Sequence, residues 1–253
     1  MTTDLQKASL WKRLAAGMLD FFSLLIVAVG FVSLLTWALG YNDAQRELRS
    51  GYDKYEAAYG VDFGISEETF NSMSQAEQDN YNAAYEALVA DDEVMDTYNL
   101  VMNLTLLIIT FSLLLGYVVL EWVVPLLLKN GQTLGKKCFG IGLMRVDGVK
   151  ISNLQHFVRV VLGKFTVETM IPVYLIIMLL FGTIGGVALV VIGLLGLTQL
   201  VVLIASRNNS LIHDLLAGTV AVDLSSQRVF ESTQDLIEYR KKIAAERAAR
   251  QPY

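Results

Sequence analysis

The sequence predicts an all-α membrane protein: four transmembrane helices, an extracytoplasmic acidic helical hairpin, and a small cytoplasmic β-hairpin or loop. Three observations lead there. Hydrophobic residues fill 54% of the 253 positions and mean hydropathy is +0.46, whereas a soluble domain is nearer about 45–50% apolar. The excess is gathered into runs long enough to cross about 30 Å of hydrocarbon. The charges are segregated: 17 of the 20 Lys and Arg lie in residues 1–13, 129–164 and 206–253, while 42–98 carries the other three against 14 Asp and Glu. By the positive-inside rule, both termini and the 129–164 connection are expected in the cytoplasm and the acidic segment outside. Four spans satisfy this parity.

Residues 1–41 form a short head and the first span. Asp4, Lys7, Lys12 and Arg13 charge the head, which is expected at the membrane surface. Phe21 to Gly40 then supplies twenty uncharged residues, with Trp37 and Tyr41 suited to the far interface. The apolar stretch 14–40 is not read as a secretory signal, because it exceeds the roughly 7–15 residues of such a region and contains Asp20. Arg13 and Asp20 are seven residues apart, so they share a helix face about 10 Å apart along its axis. Acids this close to a membrane-length run are functional-site candidates.

Residues 42–98 read as an acidic helical insertion. Ser74 and Glu77 make a capping-box pattern. Tyr81, Tyr85 and Leu88 recur at i, i+4 and i+7, and Tyr52, Tyr55 and Tyr59 repeat the pattern earlier. The tyrosines either pack on each other beneath a solvated cap or line a cation-attracting vestibule. No regular Asp-x-Asp-x-Asp-Gly loop supports calcium binding.

The second span occupies 99–128, with Glu121 and Trp122 near its inner boundary. Residues 129–164 form a basic connection holding Lys129, Lys136, Lys137, Arg145, Lys150, Arg159 and Lys164 against Asp147. Loose alternation over Phe139 to Val146, followed by Asp147-Gly148, suggests the β-hairpin or an extended loop. Lys136 and Lys137 are expected to contact anionic lipid headgroups. Residues 165–205 hold the third and fourth spans, joined by a tight glycine-containing link at 182–186. Glu168 lies about 20 Å below that link at the α-helical rise, Lys164 is placed to pair with it, and Pro172 is expected to kink the helix. Residues 206–253 comprise a semi-apolar stretch around His213 and Asp214 and a charged, helix-prone tail ending near Arg250.

No G-x-S-x-G elbow or H-E-x-x-H motif is present. The stretch GQTLGKK at 131–137 lacks the spacing of a phosphate-binding loop. Two histidines and one cysteine, Cys138, give no zinc-ligand pattern and no intrachain disulfide. The expectation is a protein that is not an enzyme, has no cofactor or metal, and has no nucleic-acid partner. Its partners would be the lipid bilayer, a second copy of itself, or another membrane protein.

Several segments together resemble the RDD family of integral membrane proteins, named for one arginine and two aspartates. Arg13 and Asp20 match the first two, GQTLGKKCFGIGLMRVDG at 131–148 looks like the family's loop, and HDLLAGTVAV at 213–222 looks like its closing motif, with Asp214 the third named residue. The resemblance covers 10–40, roughly 100–165 and 206–223, and makes 42–98 an insertion. It implies a multi-pass protein of a plasma membrane, expected in a bacterium, that transports ions or small ligands, or else assembles with other membrane proteins. The candidate ion or polar site is Arg13, Asp20, Glu121, Glu168, His213 and Asp214. At its centre, the reading places an inner-leaflet cluster of Arg13, Asp20 and Asp214, with Glu168 deeper.

Overall fold

The computed structural model describes residues 6–128 and 131–250. Asp4 and Lys129 therefore lie outside the described residues, as does the Arg250 side chain. Ten helices and two strands follow in order: α1 (Leu10–Ala38), α2 (Tyr41–Tyr59), α3 (Glu67–Ser72), α4 (Gln75–Val89), α5 (Asp92–Leu128), α6 (Leu134–Cys138), β1 (Ile141–Arg145), α7 (Asn153–Leu180), α8 (Val187–Ala205), α9 (Ile212–Ala217), β2 (Thr219–Asp223) and α10 (Thr233–Arg250). Of these, α1, α5, α7 and α8 are long and apolar enough to cross a membrane. Their exposed Leu, Ile, Val and Phe side chains fit a hydrocarbon surround, where burial in protein is not needed to keep apolar surface from water.

Contacts divide the chain into two compact units: residues 29–112, and residues 1–28 together with 113–253. In the first, α2 packs against α4. Phe63, from the loop between α2 and α3, sits edge-on to Tyr52, Tyr81 and Tyr85 at 5.9, 5.5 and 6.4 Å, and Phe70 meets Tyr81 at 5.1 Å. Tyr55 instead donates to Asp91 at 2.8 Å, while Tyr59 and Tyr85 stay partly exposed. The Ser74–Glu77 capping box starts α4.

In the second unit, β1 and β2 pair antiparallel, Ile141 opposite Asp223 through Arg145 opposite Thr219. The Asp147-Gly148 turn forms, with one Met144–Lys150 bridge behind it, but the main partner of β1 is more than seventy residues away in the closing motif. Four of the five residues in each strand are buried. Ile141, Leu143 and Ala221 pack with Ala8 and Ala16, and Met144, Val220 and Val222 make a second cluster. The head is therefore not a free surface segment: Lys7 bridges Val222 and the Ala8 N–H donates to the Ala221 carbonyl at 3.3 Å. Leu236 of α10 buries with Val149 and Phe230, which ties down the start of the charged tail.

Two membrane-length helices change winding. Val118–Val123 in α5 and Val158–Met170 in α7 are π-helical. A π-turn closes i→i+5 and takes roughly one more residue per turn than an α-turn. Pro172 falls just after the change back to α.

Candidate functional site

The site lies within the second unit, and α9 is its centre. This helix is six residues long, and its Asp214 is 1% exposed. One Asp214 oxygen accepts from Arg159 Nε at 3.0 Å and Thr219 Oγ1 at 3.2 Å, and the other accepts from Arg13 Nη2 at 3.3 Å. Arg13 Nη1 also donates to the Asn209 carbonyl. Burial by itself raises the Asp214 carboxyl, but the neighbouring His213, Arg159 and Arg13 bring it below the usual carboxylate range.

His213 continues the chain of contacts. Its Nε2 is 2.9 Å from Arg159 Nη2, and its Nδ1 is 2.9 and 2.8 Å from the two Glu168 oxygens. A guanidinium can only donate. Nε2 must therefore accept, and the ring proton sits on Nδ1, directed at Glu168. Burial lowers the His213 pKa, in keeping with this neutral tautomer. With the ring neutral, Arg159 and Arg13 supply the field that keeps Asp214 ionised. The His213 N–H also donates to Glu168 at 3.1 Å, and the Gln199 side chain, from α8, hydrogen-bonds Glu168.

Two further pairs surround this chain. Lys164 donates to Glu121. Asp20 accepts from the Thr133 hydroxyl and from the Gly135 N–H at 2.8 Å, at the start of α6. A Cβ on Gly135 would lie 2.1 Å from the Ala16 carbonyl oxygen, and one on Gly163 would lie 2.5 Å from His213 Cβ. Those two glycines let α6 reach α1 and α9 reach α7, and so set the Asp20 and His213 contacts.

The structure brings together four of the six candidate residues, Arg13, His213, Asp214 and Glu168, and gives Glu121 and Asp20 partners outside that group. Three expectations need correction. Asp20 does not join Arg13 and Asp214, because neutral donors of the 133–135 turn occupy both of its oxygens. Lys164 pairs with Glu121 rather than Glu168, whose oxygens face His213. Lys136 is not a lipid-facing lysine: it is 8% exposed, and its ammonium has one hydrogen-bond partner among the described residues, Thr133 Oγ1 at 3.3 Å. Burial first, then the neighbouring Lys164, lower it to about 7. Lys137 is exposed, as a headgroup contact requires.

Sequence reasoning missed Arg159, the most buried large side chain of the site, by counting it only among the basic residues of the connection. On an α-helix Arg159 and Glu168, nine residues apart, would point about 180° apart. The π-helical turns bring both toward His213. The available signal was the i, i+3, i+4, i+7 spacing of His156, Arg159, Val160 and Gly163, one helix face that the structure buries.

A cavity of about 710 Å³ opens beside these residues. Leu10, Leu14, Met18 and Phe21 are among its apolar walls, and Arg13, Lys136, Arg159, Lys164, His213 and Asp20 contribute its polar lining. Comparison with solved structures and with curated proteins gives no match. The sequence model of the RDD family matches residues 7–218, which takes in Arg13, Asp20 and Asp214 and most of the chain. With four membrane-length helices and this arginine–aspartate framework, the chain belongs to the RDD family.

Proposed function

We propose that this RDD protein moves an ion or small charged ligand across a plasma membrane through the cavity beside α1, α7 and α9, with the termini and the 131–164 connection on the cytoplasmic side. The observation that carries the reading is the buried chain Arg13–Asp214–Arg159–His213–Glu168 against that cavity. Ionisable groups in membrane-length helices are costly and mark solute and proton paths. Protonating His213 at Nε2 breaks the Arg159 Nη2 contact, since both atoms would then be donors. One proton thus changes how Arg159 is held, and a solute charge in the cavity acts on the same guanidinium. Four spans are few for a complete carrier, so the reading includes assembly of more than one copy. No catalytic or cofactor role is proposed.

The test is flux in proteoliposomes, read by a pH dye trapped inside while salt gradients are imposed. Glu168→Gln should abolish the dye response at normal yield and orientation, and Asp214→Asn, whose yield is expected to fall, should abolish it per folded, correctly oriented molecule. An unchanged response in both variants overturns the proposal.

A second reading has its own support. Residues 29–112 form a compact unit with an acidic surface, which suits a docking module for another membrane protein. Under this reading, deleting 42–98 removes a stoichiometric partner that otherwise co-purifies in mild detergent, and the absence of any such partner from native membranes counts against it.

A further inference from the structure

The polar lining of the cavity is unbalanced in sign. Arg13, Lys136, Arg159 and Lys164 line it, whereas Asp20 is the one carboxylate among its described lining residues. The other acids of the site are turned away or occupied. Asp214 accepts three hydrogen bonds from Arg159, Thr219 and Arg13, Glu168 is taken by His213, and Glu121, which does not line the cavity, gives one oxygen to Lys164 and buries the other without a hydrogen-bond partner among the described residues. Both Asp20 oxygens accept from the 133–135 turn. A cation entering here would meet ammonium and guanidinium groups before any free carboxylate.

Donor capacity, by contrast, is left over. Lys136 when protonated has three ammonium protons, and it has no carboxylate within ion-pair distance among the described residues. Arg159 is 2% exposed, and its Nη1 is buried without a hydrogen-bond partner among the described residues. Buried donors in this condition call for an acceptor. The rest of the cavity is apolar: Leu10, Leu14, Met18 and Phe21 project from one side of α1 and remain largely exposed. Apolar walls with a few convergent polar groups are the usual make-up of a small-molecule site, and the volume falls within the usual range of about 300–1,000 Å³.

Resting on the reading of this cavity as the ligand path, we infer that its occupant is an anionic amphiphile. The acidic head sits among Lys136, Lys164 and Arg13, and the apolar tail lies along Leu10, Leu14 and Phe21. A membrane phospholipid with an anionic head and a free fatty acid share this chemistry. Entry is lateral, along the exposed apolar face of α1. Lys136 carries the distinctive part of the recognition, because it alone of the three cations forms no ion pair within the chain's described residues.

Trp11 lines the cavity and reports on it. Protein carrying Trp37→Phe and Trp122→Phe is placed in phosphatidylcholine nanodiscs containing a low fraction of a probe brominated in its tail. The probes are phosphatidylglycerol, a fatty acid and, as control, phosphatidylcholine. At least one anionic probe should quench Trp11 several-fold more than the control, and which one does so identifies the source of the head. Lys136→Gln, which breaks no ion pair, should remove the excess. So should Gly17→Leu, which fills the cavity at a position where an added Cβ meets nothing within 4 Å. Equal quenching by all three probes, or an excess that survives both substitutions, overturns the inference. Quenching without dye-detected flux overturns the transport reading alone, and flux without selective quenching overturns this inference alone.

Discussion

Replacing Asp214 with asparagine should be among the most damaging single changes in the chain. The substitution keeps the shape and one acceptor oxygen, but removes the charge that faces two guanidinium groups. Arg159 is 2% exposed and cannot turn to solvent, and the Arg13 side chain is 11% exposed. Taking one partner from a buried ion pair costs about 3–5 kcal/mol, because the charge left behind stays desolvated. The natural control is Lys12–Asp223, at 2.6 Å, whose lysine side chain is 44% exposed. Such a pair contributes about 0–1 kcal/mol, so Lys12→Gln should be nearly neutral. The assay is denaturant unfolding of the purified protein in detergent, followed by tryptophan fluorescence. Combining Arg13→Met, Arg159→Met and Asp214→Leu leaves no orphan charge and should cost less than Asp214→Asn alone. If Asp214→Asn falls within about 1 kcal/mol of Lys12→Gln, the two arginines do not depend on this carboxylate and the account of the site fails.

Three other outcomes follow from named contacts. Gly135→Ala places a Cβ 2.1 Å from the Ala16 carbonyl oxygen, whereas Gly17→Ala meets nothing within 4 Å; the first should destabilise by about 1–3 kcal/mol and the second should not, read as the difference in unfolding midpoint. Lys136 is lowered to about 7 by burial and by Lys164 and Arg159, against the opposing pull of Glu121 and Asp20. The unfolded chain therefore holds a proton that the folded chain lacks from pH 7 up to the ordinary lysine value. Stability should rise with pH across that window by up to about 1.4 kcal/mol per unit, and Lys136→Met should flatten this rise in unfolding curves taken at several pH values. Asp91 is held down to about 2 by hydrogen bonds from Tyr55 and Lys54. Its contribution is present above the ordinary aspartate value and is lost as pH falls toward 2; carboxyl NMR titration should show this, and Tyr55→Phe should move the midpoint upward.

The sequence by itself determined the parts of this protein that depend on local periodicity and on transfer to a membrane. Four long apolar runs have no other way to satisfy their backbone than as helices in hydrocarbon. The Ser74–Glu77 box and the tyrosine repeats likewise act over a few residues. The family framework was legible too, because Arg13, Asp20 and Asp214 stand in recognisable stretches. Only the tertiary structure decided which charges meet. Arg159 faces Asp214 and His213 because Gly163 admits α9 against α7 and because π-winding turns the helix face, and neither effect shows in an α-helical count of residues. The strand at 141–145 found its partner at 219–223 rather than across its own turn, since that pairing buries both strands against Ala8 and Ala16. Asp20 and Lys136, which spacing alone assigned to a charge cluster and a lipid surface, are held instead by the 133–136 turn. Long-range approach of backbones, set by two glycines, decided what the spacing of charges could not.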